Sequence, residues 1–327
     1  MRAAFLLAFL VYPVAFPSGE SPAQTAGPAR EQAIRESWEA ERLHDQFRHI
    51  EAAQAYARAV ASLTAAFGEA HERTLIALNN HASALLEMNR AAQAEVVLRD
   101  ALDRRQRAGL GEDETLAATW NNLGEALLVT GRVTAAAAMQ ERALTLRMKL
   151  LPPDHPEIAA SLTHLGEALR QSGELTRSRK LLEQAVELWA APAKGRTGPA
   201  ALPLMPGYAR ALNSLAMVHD AENRPRQATT AFLAALAAST RSYGPRHEFT
   251  ATLHFNLAGH YGQHQDWKRA EEHCRKALDV FELQPAHQDS KFGLALTLHA
   301  KILDQMNGRK REAEAQRRRA AEILSLR

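Results

Sequence analysis

Cysteine is almost missing from this chain, with Cys274 the only one among 327 residues. A lone thiol can form no intramolecular disulfide and no cysteine-ligated zinc site, and Cys274 is expected to be a small core residue. Aromatic residues are scarce at 6%, so alanine and leucine must supply most of the buried apolar surface. An excess of one charge is missing as well. Lys+Arg (40) nearly balance Asp+Glu (37), and the formal net charge of +3 argues against a surface built wholly for nucleic acid. No HExxH zinc motif, phosphate-cradling glycine loop or nucleophile–base pair stands out, so no catalytic residue, metal or cofactor is assigned.

The one long apolar run is at the N-terminus. Met1-Arg2 supplies a positive start, Ala3 to Phe16 is apolar for fourteen residues around Pro13, and Ser21-Pro22-Ala23 offers a small-residue cleavage site. That order is the anatomy of a secretory signal peptide. Fourteen residues with an internal proline fall short of the ~20 that cross a bilayer, so no integral span is expected in the mature chain. No cysteine lies near the cleavage region, which removes lipid anchoring there. The expected order is a signal peptide at 1–23, a flexible tail at 24–30 and a repeat array at 31–327, exported to a periplasm or secreted.

What is abundant is repetition. Trp120-Asn121-Asn122 repeats Leu78-Asn79-Asn80 at an interval of 42, and Leu165-Gly166-Glu167 repeats Leu123-Gly124-Glu125 at the same interval. Leu215-Ala216 follows after 50, an insertion of eight, and Leu257-Ala258 after another 42. A fixed period of this length marks stacked repeats. Within one repeat, Trp120, Leu123, Gly124 and Leu127 share a helical face, Gly131-Arg132 breaks the helix, and Ala136, Gln140 and Ala143 mark a second helix. The unit is an αα-hairpin, which can bury its apolar face only against neighbours. Strong repeats run over about 74–282, with degraded copies on either side and a Pro/Gly-rich insertion loop at 191–207. The turn column reads Asn89, Gly131, Gly173, Asn223 and Gln265, mostly types that tolerate a left-handed backbone.

At these positions the pattern resembles the tetratricopeptide repeat, matched by Trp120, Leu123, Gly124, Leu127, Ala136 and Ala143. The 42-residue period, the Leu-Asn-Asn opening and the loop Pro153-Asp154-His155-Pro156 resemble the kinesin-light-chain-like subclass. The resemblance implies an all-α, right-handed superhelical solenoid of about seven hairpins, working as a non-enzymatic protein–protein interaction scaffold. It also implies that a partner peptide lies along the first helices, in a concave groove.

Those helices carry a polar column beside their core leucines: Asn80, Asn122, His164, Ser214 and Asn256. An asparagine amide both donates and accepts, so it can pair with an extended peptide backbone whatever its side chains. The resemblance implies that use for Asn80, Asn122 and Asn256. The other reading open to these amides is that they tie neighbouring helices together or face water. Glu125, Glu167 and Arg170 would line the same groove with mixed charge. His260 and His264, four apart, could share a zinc ion, but a hydrolase needs a third ligand and a base, and a solvated polar face is the simpler reading. The recurring loop histidines His71, His155 and His247 read as turn-packing residues. The basic end, Arg309 to Arg311 and Arg317 to Arg319, is interleaved with glutamates and reads as a solvated cap. Two alternatives remain at this stage: a self-assembling structural solenoid, and a hydrolase built on His260 and His264.

Overall fold

Fourteen α-helices and no strand make up the regular structure among the described residues of the computed structural model, which are 27–46, 48–190, 206–283 and 291–325. The expected signal peptide and nearly all of the expected insertion lie outside the described residues. None of these helices is long and apolar enough to cross a membrane. The chain divides into two compact units at Glu174 and Leu175.

One unit holds α1 (Pro28–Asp45), α2 (His49–Phe67), α3 (Glu72–Glu87), α4 (Ala91–Arg107), α5 (Glu114–Val129), α6 (Val133–Leu150) and α7 (Pro156–Ser172). Consecutive helices pack in pairs, and the first helices of successive repeats also meet, α3 with α5 and α5 with α7. Helix α1 begins inside the stretch expected to be a tail. Proline suits a first helical turn because its φ is already set and its missing N–H would have had no partner there. Arg30 then fastens the start by bonding Ala66 O at 3.2 Å and lying over the Phe67 ring.

The other unit holds α8 (Leu175–Ala190), α9 (Pro206–Ala221), α10 (Pro225–Tyr243), α11 (Glu248–Gln263), α12 (Trp267–Phe281), α13 (Gly293–Asp304) and α14 (Lys310–Ser325). Helix α9 starts at Pro206, within the expected insertion. Gly207 follows because a Cβ there would stand 2.1 Å from the Trp189 ring of α8.

The turn column adopts the conformation its residue types favour. Asn89, Gly131, Gly173, Asn223 and Gln265 all have φ between 57° and 88°. At each, the next N–H returns to the carbonyl five residues back, as from Arg90 to Leu85 and Arg132 to Leu127, which caps the helix in a Schellman motif. In the second helices the small columns Ala94, Ala136, Ser178, Ala228, Ala270 and Ala101, Ala143, Ala185, Ala235, Ala277 are all 0% exposed. Small side chains there let the helices approach closely, and a bulky replacement would overpack the crossing.

Gln140 stands where neighbouring repeats have Leu98 or Leu182, and its own repeat is adjusted to it. Its Nε2 donates to Asn121 O at 3.0 Å, and a Cβ on Gly124 would come within 2.7 Å of that nitrogen. Cys274 is fully buried with its Sγ 3.6 Å from Ala295 O, and burial pushes its thiol well above the ordinary range, so it is an inert core residue. In the last hairpin only Ala313 and Ala320 of α14 are buried, while Arg317 is exposed and pairs with Asp304.

Candidate functional site

The polar column of the first helices is in place but lies inside the packing. Asn80, Asn122, His164, Glu125 and Glu167 are at most 3% exposed, as are Ser214 and Asn256 in the other unit. Arg170 is partly buried, and burial lowers its pKa against the pull of Glu167. A second column, one residue earlier, supplies the partners: Asn79, Asn121 and Asn213.

In the unit of α1–α7 these side chains form one directional chain. His164 Nδ1 donates to Asn121 Oδ1 at 2.5 Å, Asn121 Nδ2 to Asn122 Oδ1 at 3.3 Å, and Asn122 Nδ2 to Asn79 Oδ1 at 3.0 Å. Asn79 Nδ2 then donates to Asn80 Oδ1 at 3.4 Å, and Asn80 also pairs with the hydroxyl of Tyr56 on α2. Each donor points the same way along three successive repeats, so the bonds polarise one another. In the other unit Asn256 Nδ2 donates to Asn213 Oδ1 at 3.0 Å in the same register. Of the two uses open to these amides, the bonds present are those between helices.

The loop histidines cap the first helices. Nδ1 of His71, His155 and His247 accepts from the backbone N–H two residues on, at 3.2, 3.2 and 3.1 Å. This occupies one of the orphan donors of each helix start. His247 also stacks on Tyr243, and burial lowers its pKa.

Two clusters among the described residues have donor sets able to hold a metal ion. In the first, His44 Nε2 and His49 Nδ1 both face Glu87 Oε2, at 2.8 and 2.6 Å. Burial works against ionisation of Glu87, and the two imidazoles overcome it, holding the carboxyl below its usual range. In the second, His260 Nδ1 lies 2.7 Å and His264 Nε2 3.4 Å from Asp220 Oδ1. The sequence pairs His260 with His264 by spacing, but Asp220 is on α9 and supplies the third ligand that spacing cannot reveal. His254 and His273 do not join this cluster; they face each other, Nδ1 to Nδ1, at 2.8 Å.

Comparison with known proteins follows the same geometry. The tetratricopeptide repeat family matches residues 115–191 and 207–283, with a second match of that description at 74–108. No curated protein matches the chain. Among solved structures, BtubC (BKLC) from P. vanneervenii has a TM-score of 0.55 at 18% identity, covering 73% of this chain and 90% of that one. The kinesin light chain-type TPR-like repeats of Podosopora anserina have a TM-score of 0.51 at 20% identity, covering 67% and 99%. A Rap protein complexed with competence and sporulation factor has a TM-score of 0.65 at 14% identity, covering 90% and 77%. With its consecutive hairpins, recurring turns and matched repeats, this chain belongs to the tetratricopeptide repeat family.

Proposed function

We propose that the protein is a non-enzymatic scaffold that binds a segment of a protein partner along the first helices of its repeats. The observation that carries this reading is the recurrence of a polar side chain at one register of each first helix, Asn80, Asn122, His164, Ser214 and Asn256, in a family whose fold serves protein interaction. A Rap protein of this fold is solved in complex with competence and sporulation factor, which supports a binding role for the fold. The column's bonds run between helices, so it would serve binding by setting the spacing of the first helices, beside the buried Glu125 and Glu167 and the partly buried Arg170. Self-assembly through the last hairpin fits less well, because Arg309, Arg317 and Arg319 there are tied to acidic side chains of the same chain. The N-terminal signal pattern supports an exported location, and the mass of the native protein would show cleavage after Ala23 or its absence.

The test is affinity capture from the protein's own cells, beside a variant carrying Asn80→Ala, Asn122→Ala and Asn256→Ala. Folding of both is checked by circular dichroism. A partner held by the parent and lost from the folded variant supports the reading. Equal retention by both overturns it.

A further inference from the structure

The helix turn of α9 that carries Asp220 and the end of α11 meet in a group that the polar column does not use. Asp220 and His260 are each 2% exposed, while His264 is 27% exposed and opens the group to solvent. Asp220 Oδ2 is buried and makes no hydrogen bond among the described residues. A buried carboxylate with one oxygen unpartnered is costly unless a cation compensates it.

The hydrogen positions sharpen the case. The Thr229 hydroxyl has one proton and two acceptors in reach, Pro225 O at 2.9 Å and His260 Nε2 at 2.7 Å. When Thr229 donates to Pro225, the carbonyl four residues back in its own helix, His260 Nε2–H must donate to Thr229. His260 Nδ1 then faces Asp220 Oδ1 with either a second ring proton or its lone pair, and the lone pair is favourable there only with a cation between them. When Thr229 donates to His260 instead, a proton on Nδ1 fills that place. The first arrangement has the usual form of a metal-bound histidine, whose other ring nitrogen is held by an outer acceptor. In the cluster of His44, His49 and Glu87 the outer contact, from the Tyr56 hydroxyl to His44 Nδ1, is long at 3.5 Å, and two imidazole N–H donors account for the geometry at the carboxylate.

We propose that Asp220, His260 and His264 form a site for one divalent first-row transition-metal ion, zinc first among them, with an open fourth position. Two histidine nitrogens and one carboxylate match the donor set of open zinc sites. Bonds of about 2.0–2.1 Å in a tetrahedron put ligand atoms about 3.3 Å apart. The separation of His264 from Asp220 already has that value, and His260 must withdraw slightly as the ion replaces its proton. Binding releases that proton. The ion joins the first helices of two successive repeats, so its capture raises their resistance to unfolding. The proposal stands apart from the reading of a protein partner.

The experiment uses the full chain, free of any histidine tag and stripped of metal with chelator. Zinc binding is followed by calorimetry and metal content, and Co2+ by its visible absorption as a probe of coordination. One equivalent is expected in the parent and in His49→Ala. Asp220→Asn and His264→Ala should weaken that equivalent more than about 100-fold, and Thr229→Val by about 10- to 100-fold. Should Asp220→Asn fail to fold, His264→Ala at the solvent edge decides alone. The proposal is overturned if the folded parent takes up no zinc, or if His264→Ala binds it as tightly as the parent.

Discussion

Replacing Asn122 with leucine tests whether the asparagine column holds the repeats together. Leucine keeps the volume but deletes the bond to Asn79 Oδ1 at 3.0 Å and the one from Asn121 Nδ2 at 3.3 Å. Both partners are buried, at 0% and 6% exposure, so water cannot replace what they lose. An unsatisfied buried polar group costs about 1–3 kcal/mol, and with partial relief the single variant should lose about 2–4 kcal/mol. Asn79→Leu deletes the same central bond from the other side. In the double variant no orphan remains at that bond, because replacing both partners with apolar groups of similar shape is nearly neutral for the pair. The two single losses should therefore exceed the double loss by about 1–3 kcal/mol. Urea unfolding of all four chains by circular dichroism supplies the cycle, provided the dependence on urea is unchanged among them. Additivity within about 0.5 kcal/mol would refute the account of a coupled seam.

Three further outcomes follow from local geometry. Gly124→Ala presses a Cβ against Gln140, and overpacking of about 1–3 kcal/mol outweighs a gain of about 1 kcal/mol in helix propensity. Adding Gln140→Leu should restore stability, because Ala82 and Leu98 form that pair in the preceding repeat; a chemical denaturation series without rescue would contradict this. Gln265 holds φ at 62°, where a side chain costs about 1–2 kcal/mol, so Gln265→Gly should raise stability by about 0.5–1 kcal/mol in the same assay after the glycine's own entropy is counted. Burial, with His273 and Lys276 beside it, lowers His254 from 6.5 to about 4. The folded state thus prefers the neutral ring, and its contribution is complete above pH 6.5 and lost as the pH falls toward about 4. The loss is at most about 3 kcal/mol and should be absent from His254→Leu, read as the difference in unfolding midpoint between pH 7.5 and 4.5.

The hairpins were legible because their signals are local. A left-handed turn residue every 42 positions and alanines at fixed columns report backbone geometry within one repeat, and Asn89, Gly131, Gly173, Asn223 and Gln265 all adopt it. The period also placed Asn80, Asn122 and Asn256 on the first helices. It did not say what they face, since that depends on the rotation of one first helix against the next. The bonds join residues 43 apart, one more than the period, and that offset brings Asn79 against Asn122 and Asn213 against Asn256. The recurrence of His71, His155 and His247 pointed to the turns, while their Nδ1 capping bond depends on ring orientation. Asp220 and Thr229 were out of reach for another reason: they approach His260 from 40 and 31 residues away, on helices whose crossing no pattern in the sequence encodes. Proline at 28 and 206 marked loop in the sequence and helix start in the fold, because the same fixed φ serves both.

The most direct measurement of the scaffold reading is hydrogen exchange of the full chain with and without its captured partner. The account predicts slower exchange on binding in the first helices, α3, α5, α7, α9 and α11, centred on the turns that carry Asn80, Asn122, His164, Ser214 and Asn256. Slowing confined to the second helices or to α14, with the first helices unchanged, would contradict it.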